Sequence, residues 1–218
     1  MLISATLRPI LRPVAWAAFR PEVHGVAHVP RTGPVILAVN HLSFVDSFLI
    51  PLVSPRRVSF LAKQEYFEKW PTRTFMTGID AIPVARGGFR AAQESLQAAL
   101  RVLEDGGAFG IHPEGSRSRD GRLYRGRTGV AWLAIASGAP VVPVALLGTD
   151  RIQPIGAPMP RPGKLVVHFG APLTFRAPAD GRLAPARRAA TDEIMAAIAA
   201  LSGQEVAPGY NELSAGSL

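Results

Sequence analysis

Two short strings hold the side chains best suited to chemistry. Asn40-His41-Leu42-Ser43-Phe44-Val45-Asp46 sets a carboxylate a few residues beyond a histidine. His112-Pro113-Glu114-Gly115-Ser116-Arg117-Ser118 sets a glutamate and an arginine on either side of a Gly-Ser pair. An imidazole titrates near neutral pH, so His41 is the natural base for taking a proton from a hydroxyl. Its second ring nitrogen needs an acceptor that fixes the tautomer and stabilises the imidazolium. Asp46 can be that acceptor if the chain folds back after His41. Arg117 offers a planar, permanently charged fork that suits phosphate. Glu114 can accept hydrogen bonds from substrate hydroxyls, and Gly115 lets the chain turn sharply beside it. A base, an orienting acid and an anion clamp are the parts needed to move an acyl group onto a hydroxyl of a phosphorylated molecule.

Each residue also has a plainer role. Ser43-Phe44-Val45-Asp46 is a capping-box pattern, with Ser43 as N-cap and an acid three residues on. An acid there also suits the helix macrodipole, so capping and catalysis are equally served. A lone histidine is more often a satisfied structural one. Asn40 can brace the turn through its side chain. Arg117 can be a solvated turn residue among Arg119, Arg122, Arg125 and Arg127.

Position raises the two strings above these readings. Val23–Val29 and Pro34–Val39 read as strands around the turn Pro30-Arg31-Thr32-Gly33, and Ser43 opens a helix running to about Val53. Val58–Ala62 and Ile82-Pro83-Val84 read as further strands, with mixed helix and loop over 65–77. Phe89–Asp105 has helical spacing of Phe89, Ala92, Leu96, Ala99, Leu100 and Leu103, and is stopped by Gly106-Gly107. Ala108–Ile111 is a strand, 128–137 a helix, 141–147 and 164–169 strands, and 184–202 an alanine-rich helix. This rhythm predicts an α/β fold, a single largely parallel mixed sheet flanked by helices. Ligands gather outside the carboxyl ends of strands in such sheets. His41 follows one strand and Glu114 another. Lys63 and Arg86 follow two more, so Lys63, Arg86 and Arg117 form a candidate cluster of cations at one end of the sheet.

Composition sets outer limits. The chain has 218 residues, a net charge of +8, 48% hydrophobic residues and only 18% charged ones. That charge balance suits an anionic membrane or a phosphorylated substrate. The basic residues lack interleaved aromatics, which argues against nucleic acid. The absence of cysteine excludes disulfides, a cysteine nucleophile and thiolate metal sites. Residues 1–20 carry Leu2, Ile3, Leu7, Ile10, Leu11, Val14, Trp16 and Phe19 against Arg8, Arg12 and Arg20. Pro9 and Pro13 interrupt them. A spanning helix takes about twenty apolar residues, so an amphipathic, membrane-associating segment is expected, with packing on the body as the alternative. Val130–Gly148 is uncharged and long enough to span. Ser137-Gly138-Ala139-Pro140 breaks it into helix, turn and buried strand. The expected organisation is therefore 1–20 as the N-terminal segment, 21–203 as the catalytic domain and 204–218 as a loose tail.

The first string resembles N-H-x-S-x-x-D, the opening motif of the glycerolipid acyltransferases of the PlsC type. Gly78 through Ile82-Pro83-Val84-Ala85-Arg86 resembles their second motif. The 112–118 string resembles their F-P-E-G-T-R-S, and Val141-Val142-Pro143-Val144-Ala145 their apolar V-P-V segment. The order is the family's, across roughly residues 35–147. Two residues depart: His112 stands where phenylalanine is usual, and Ala85 where an acid is common. The resemblance implies His41 as general base and Asp46 as its partner. It places Glu114, Gly115, Ser116 and Arg117 in acceptor binding, with Arg86 and Lys63 as phosphate contacts and Asn40 and Ser43 as support. It implies transfer from acyl-CoA or acyl carrier protein to a lysophospholipid, foremost lysophosphatidic acid, with no metal or other cofactor. It also implies peripheral or monotopic attachment to the cytoplasmic face of the cell membrane. Another lysophospholipid or glycolipid acceptor is the alternative, as is a basic membrane-binding module without catalysis. A serine hydrolase is disfavoured because there is no Gly-x-Ser-x-Gly elbow.

Overall fold

A continuous apolar run makes a strand when both of its faces are covered. Val35-Ile36-Leu37-Ala38-Val39 is such a run, and all five residues are buried. A computed structural model describes residues 2–84 and 88–211. In chain order its elements are α1 (Leu2–Phe19), β1 (Glu22–His24), β2 (Val35–Val39), α2 (Asp46–Val53), β3 (Ser59–Lys63), α3 (Thr72–Gly78) and β4 (Ile82–Val84). They continue as α4 (Gly88–Glu104), β5 (Ala108–Ile111), α5 (Gly129–Ser137), β6 (Val141–Leu147), α6 (Thr149–Ile152), β7 (Val166–Phe169) and α7 (Leu183–Ser202).

The seven strands lie in the order β1-β7-β6-β2-β5-β3-β4. Neighbours are parallel except β6 and β7, so the sheet is mixed and largely parallel, as the sequence predicts. Pro143 sits inside β6, where proline is usually excluded. Its carbonyl accepts from Gly170 just past the β6–β7 ladder, so its missing N–H falls in the gap between that ladder and the isolated Val141–Leu173 bridge.

Strand alternation divides the core in two. Val35, Leu37 and Val39 face a cluster with Leu49, Ile50 and Val53 of α2, against which Trp16 and Phe19 of α1 pack. Ile36 and Ala38 face Ala99 and Leu103 of α4, Leu133 of α5, and Ile194 and Ile198 of α7. Burying one such side chain fully is worth about 1.5–3 kcal/mol. Both layers therefore hold β2 at the centre, and β2 delivers His41.

Four expectations are corrected. The 23–29 strand is only Glu22–His24, followed by a 3-10 turn, and it pairs with β7 at the far edge of the sheet. Helix α2 begins at Asp46, because Ser43 spends its hydroxyl on the Gln153 carbonyl at 2.7 Å and leaves the helix end uncapped by its side chain. Helix α1 runs through Pro9 and Pro13 without a break, and its Trp16 and Phe19 turn to the protein body, whereas Val14 is exposed. Residues 203–211 are not a loose tail; backbone bonds tie them to the 116–125 loop. Among the described residues no helix is long and apolar enough to cross a membrane.

Candidate active site

Three neighbouring parallel strands, β2, β5 and β3, release their chains at the same edge. The stretch after β2 carries His41, the stretch after β5 carries Glu114 and Arg117, and Lys63 ends β3. Backbone bonds fasten the first two together. The His41 amide donates to Glu114 Oε1 at 3.0 Å, and the Ser118 amide donates to the His41 carbonyl at 2.7 Å. The β2 exit is also held from the other side. Asn40 is fully buried; its Oδ1 accepts from the Leu146 amide and its Nδ2 donates to the Leu146 carbonyl.

His41 Nδ1 lies 3.0 Å from Asp46 Oδ2. A carboxylate only accepts, so Nδ1 carries the hydrogen and Nε2 is left as the basic nitrogen. The same Asp46 oxygen accepts from the amides of Leu42 (2.7 Å) and Ser43 (2.8 Å). Asp46 therefore fills both roles that the sequence left open: it pins the turn and orients the imidazole. Burial opposes its ionisation most, yet the hydrogen bond and charge of His41 and the Ser43 amide together hold its carboxyl below the usual range.

The ring of His112 lies flat on His41, with centroids 3.8 Å apart and planes within 9°. Its Nδ1 donates to the carbonyls of Val39 and Asn40, each at 3.1 Å, so its Nε2 accepts from the Ser47 hydroxyl, also at 3.1 Å. Burial, then the neighbouring His41, depress this ring to about 3. It is thus a neutral platform. Phe60 backs it at 5.5 Å and occupies the space that a side chain on Gly110 would need. A lone sequence gave no sign of this stack; the departure at His112 marked the place without its partner.

Glu114 is where residue type and structure part company. The sequence offered it to substrate hydroxyls. The structure buries it completely, with Oε1 taken by the His41 amide and Oε2 by the Tyr124 amide at 2.9 Å. Burial pushes its carboxyl up to about 7. Gly115 has φ +79°, and a Cβ there would strike the Arg127 side chain, so this turn requires glycine. Ser116 Oγ is buried and has no hydrogen-bond partner among the described residues. Arg86 lies outside the described residues.

His41, Lys63 and Arg117 line one cavity of about 180 Å³. Phe44, Phe48 and Met76 give it an apolar wall. Phe44 and Phe48 are in edge contact at 4.7 Å, a pair whose spacing around the start of α2 was readable as a common face. Among the described residues neither Lys63 nor Arg117 has an acidic partner. The cavity thus joins a pre-oriented base, two open cations and an apolar surface.

Known proteins are similar to this chain in sequence and fold. A family model described as Acyltransferase matches residues 20–147. The 1-acyl-sn-glycerol-3-phosphate acyltransferase of Bacillus subtilis is 28% identical over 154 residues, which cover 70% of this chain and 73% of that one. A chloroplastic 1-acyl-sn-glycerol-3-phosphate acyltransferase of Brassica napus is 29% identical over 140 residues, covering 64% of this chain and 40% of its own length. This chain thus spans about four-tenths of that plant relative. The crystal structure of the 1-acyl-sn-glycerophosphate acyltransferase PlsC from Thermotoga maritima shares the fold with a TM-score of 0.72 at 24% identity, over 91% of this chain and 80% of that one. With the family model covering more than half of its length, the chain belongs to the acyltransferase family.

Proposed function

We propose that the protein transfers a fatty acyl group from an acyl thioester, acyl-CoA or acyl carrier protein, to the free hydroxyl of a lysophospholipid, with lysophosphatidic acid as the acceptor and phosphatidic acid as the product. One observation carries this reading: the Asp46-braced His41 and the open Arg117 line the same cavity. Lysophosphatidic acid is also the acceptor named for the relatives from Bacillus subtilis and Brassica napus.

In the proposed reaction, Nε2 of His41 takes the proton as the acceptor oxygen attacks the thioester carbonyl. Asp46 stabilises the imidazolium that forms. The tetrahedral intermediate collapses with cleavage of the C–S bond, and the departing thiolate takes the proton from His41. A thiol is a good leaving group, so neither a covalent enzyme intermediate nor a metal is required. Arg117 and Lys63 hold the acceptor phosphate, and the phenylalanine-lined wall receives hydrocarbon. Helix α1 is assigned to peripheral attachment at the cytoplasmic face of the membrane, with its exposed Val14 side outward.

The test is thiol release from acyl-CoA by the purified protein, with and without lysophosphatidic acid, and mass spectrometry of the lipid product. Acceptor-dependent release with phosphatidic acid formed supports transfer. Binding to anionic vesicles with no thiol release would instead favour a membrane-binding module.

A further inference from the structure

Segment 203–211 lies beyond the part of the chain that matches the family, yet it touches both halves of the site. Gly203 ends α7 in the left-handed region, φ 65°, and turns the chain back. From there it runs beside the loop that carries Arg117. The Leu123 amide donates to the Glu205 carbonyl, the Ala207 amide to the Leu123 carbonyl, and the Arg125 amide to the Gly209 carbonyl, each at 2.9 Å. Two side chains reach further. Asn211, almost buried, donates from Nδ2 to the carbonyls of Arg117 (3.0 Å) and Ser116 (3.4 Å). Gln204 accepts from Asn40 Nδ2 and donates to the Gly121 carbonyl, both at 2.7 Å. Tyr210 lies under the guanidinium groups of Arg125 (5.4 Å) and Arg127 (5.7 Å).

We infer that residues 203–211 form a strap that sets the position of Arg117, with Asn211 as its positioning residue and Gln204 as the tie to the exit of the base-bearing strand. The geometry is specific to this task. The Arg117 side chain makes no ion pair among the described residues, so what the protein fixes is the backbone from which its fork reaches. That backbone is held from the base side by the Ser118 amide on the His41 carbonyl, and from the outer side by Asn211. Without the outer hold, the backbone that carries the fork must be ordered at the moment the acceptor phosphate binds, and binding weakens accordingly.

The inference rests on Arg117 as the phosphate anchor, so both are measured together in the full chain with acyl-CoA. The acceptors are lysophosphatidic acid and a monoacylglycerol of the same acyl chain. Asn211→Ala is expected to raise KM for lysophosphatidic acid about 3–10-fold, with a smaller change in kcat, and to affect the monoacylglycerol far less. Gln204→Ala is expected to act in the same direction. In an Arg117→Ala background the Asn211 effect should disappear, because the two residues act through one contact. If Arg117→Ala is selective for the phosphorylated acceptor while Asn211→Ala weakens both acceptors equally, or neither, the positioning role is wrong. If Arg117→Ala shows no selectivity, the phosphate reading has failed instead. The strap is then judged by hydrogen exchange at the Ser118, Leu123 and Arg125 amides: faster exchange in Asn211→Ala upholds it, and unchanged exchange overturns it.

Discussion

His41, the proposed base, and Arg117 with Lys63, the proposed clamp, share a cavity but are built on opposite principles. Around His41 most polar contacts are filled from within, although Asp46 Oδ1 is buried without a hydrogen-bond partner among the described residues. Asp46 Oδ2 takes three donors, both Glu114 oxygens take amides, and His112 spends both ring nitrogens on protein partners. Around Arg117 and Lys63 the cations are left open to the cavity. The difference follows from what each group must do. A base acts on a proton within hydrogen-bond reach, so its ring must already be oriented before substrate arrives. A cation that binds a charged ligand must not have its charge neutralised by the protein first. Under the proposed function, preorganisation is concentrated where the proton moves, and open charge where the phosphate binds.

Breaking the filled side should have the largest effect. Asp46→Ala removes the acceptor from His41 Nδ1 and from two amides at once. Its kcat is expected to fall about 10²–10⁴-fold, with a lower melting temperature, because brace and turn are lost together. Steady-state kinetics beside a thermal melt measures both. A variant with normal kcat would mean that His41 does not need its partner.

Breaking the open side should be gentler on the fold and selective. Arg117→Ala is expected to raise KM for lysophosphatidic acid about 10–100-fold, as loss of a charge-assisted hydrogen bond implies. A monoacylglycerol should be nearly unaffected and the melt unchanged, since Arg117 is exposed and has no acidic partner among the described residues. Equal losses for both acceptors would contradict the contrast between the two regions.

Glu114→Gln sharpens the comparison, because it tests whether this acid belongs to the filled side. The amide keeps the size but turns one acceptor into a donor, which must face the amide of either His41 or Tyr124. Destabilisation of about 1–3 kcal/mol is expected in a denaturant titration. A stable variant with a weakened acceptor KM would return Glu114 to the substrate.

The smallest effect is a pair of opposed pH trends. Glu114 is raised from 4.5 to about 7, so between those values the folded chain keeps a proton that the unfolded chain releases, and its contribution to stability falls as pH rises. His112 is lowered from 6.5 to about 3, so its contribution is present above 6.5 and is lost as pH falls. From about 4.5 to 6.5 the two oppose each other. Relative to the parent, Glu114→Gln should fare worse as pH drops from 7, and His112→Phe should fare better as pH drops from 6.5. Melting temperatures across this range, variant against parent, read the two signs separately.

The sequence made the framework legible because apolar runs and helical spacing report burial directly. Ala108–Ile111 and Val141–Leu147 stand where their patterns place them, and the two strings do emerge at one edge. What stayed hidden were polar contacts between distant residues. Glu114 meets His41 across 73 positions and Gln204 meets Asn40 across 164, and no local pattern encodes such pairs. The strap was misread for the same reason. Its hold comes from backbone bonds and two amide side chains, which leave no hydrophobic period. For helix α1 the residue types alone do not choose a surface: Trp16 and Phe19 suit a membrane or a core equally, and here they pack against the core while Val14 stays exposed.

The most direct test compares wild type and His41→Ala in one assay, with acyl-CoA and lysophosphatidic acid, following phosphatidic acid by mass spectrometry and folding by a thermal melt. A braced imidazole acting as general base requires product from the wild type and a loss of about 10²–10⁴-fold in a variant that still melts cooperatively. Wild-type turnover in folded His41→Ala would show that the proton leaves by another route, and the assignment of this cavity as the catalytic centre would be wrong.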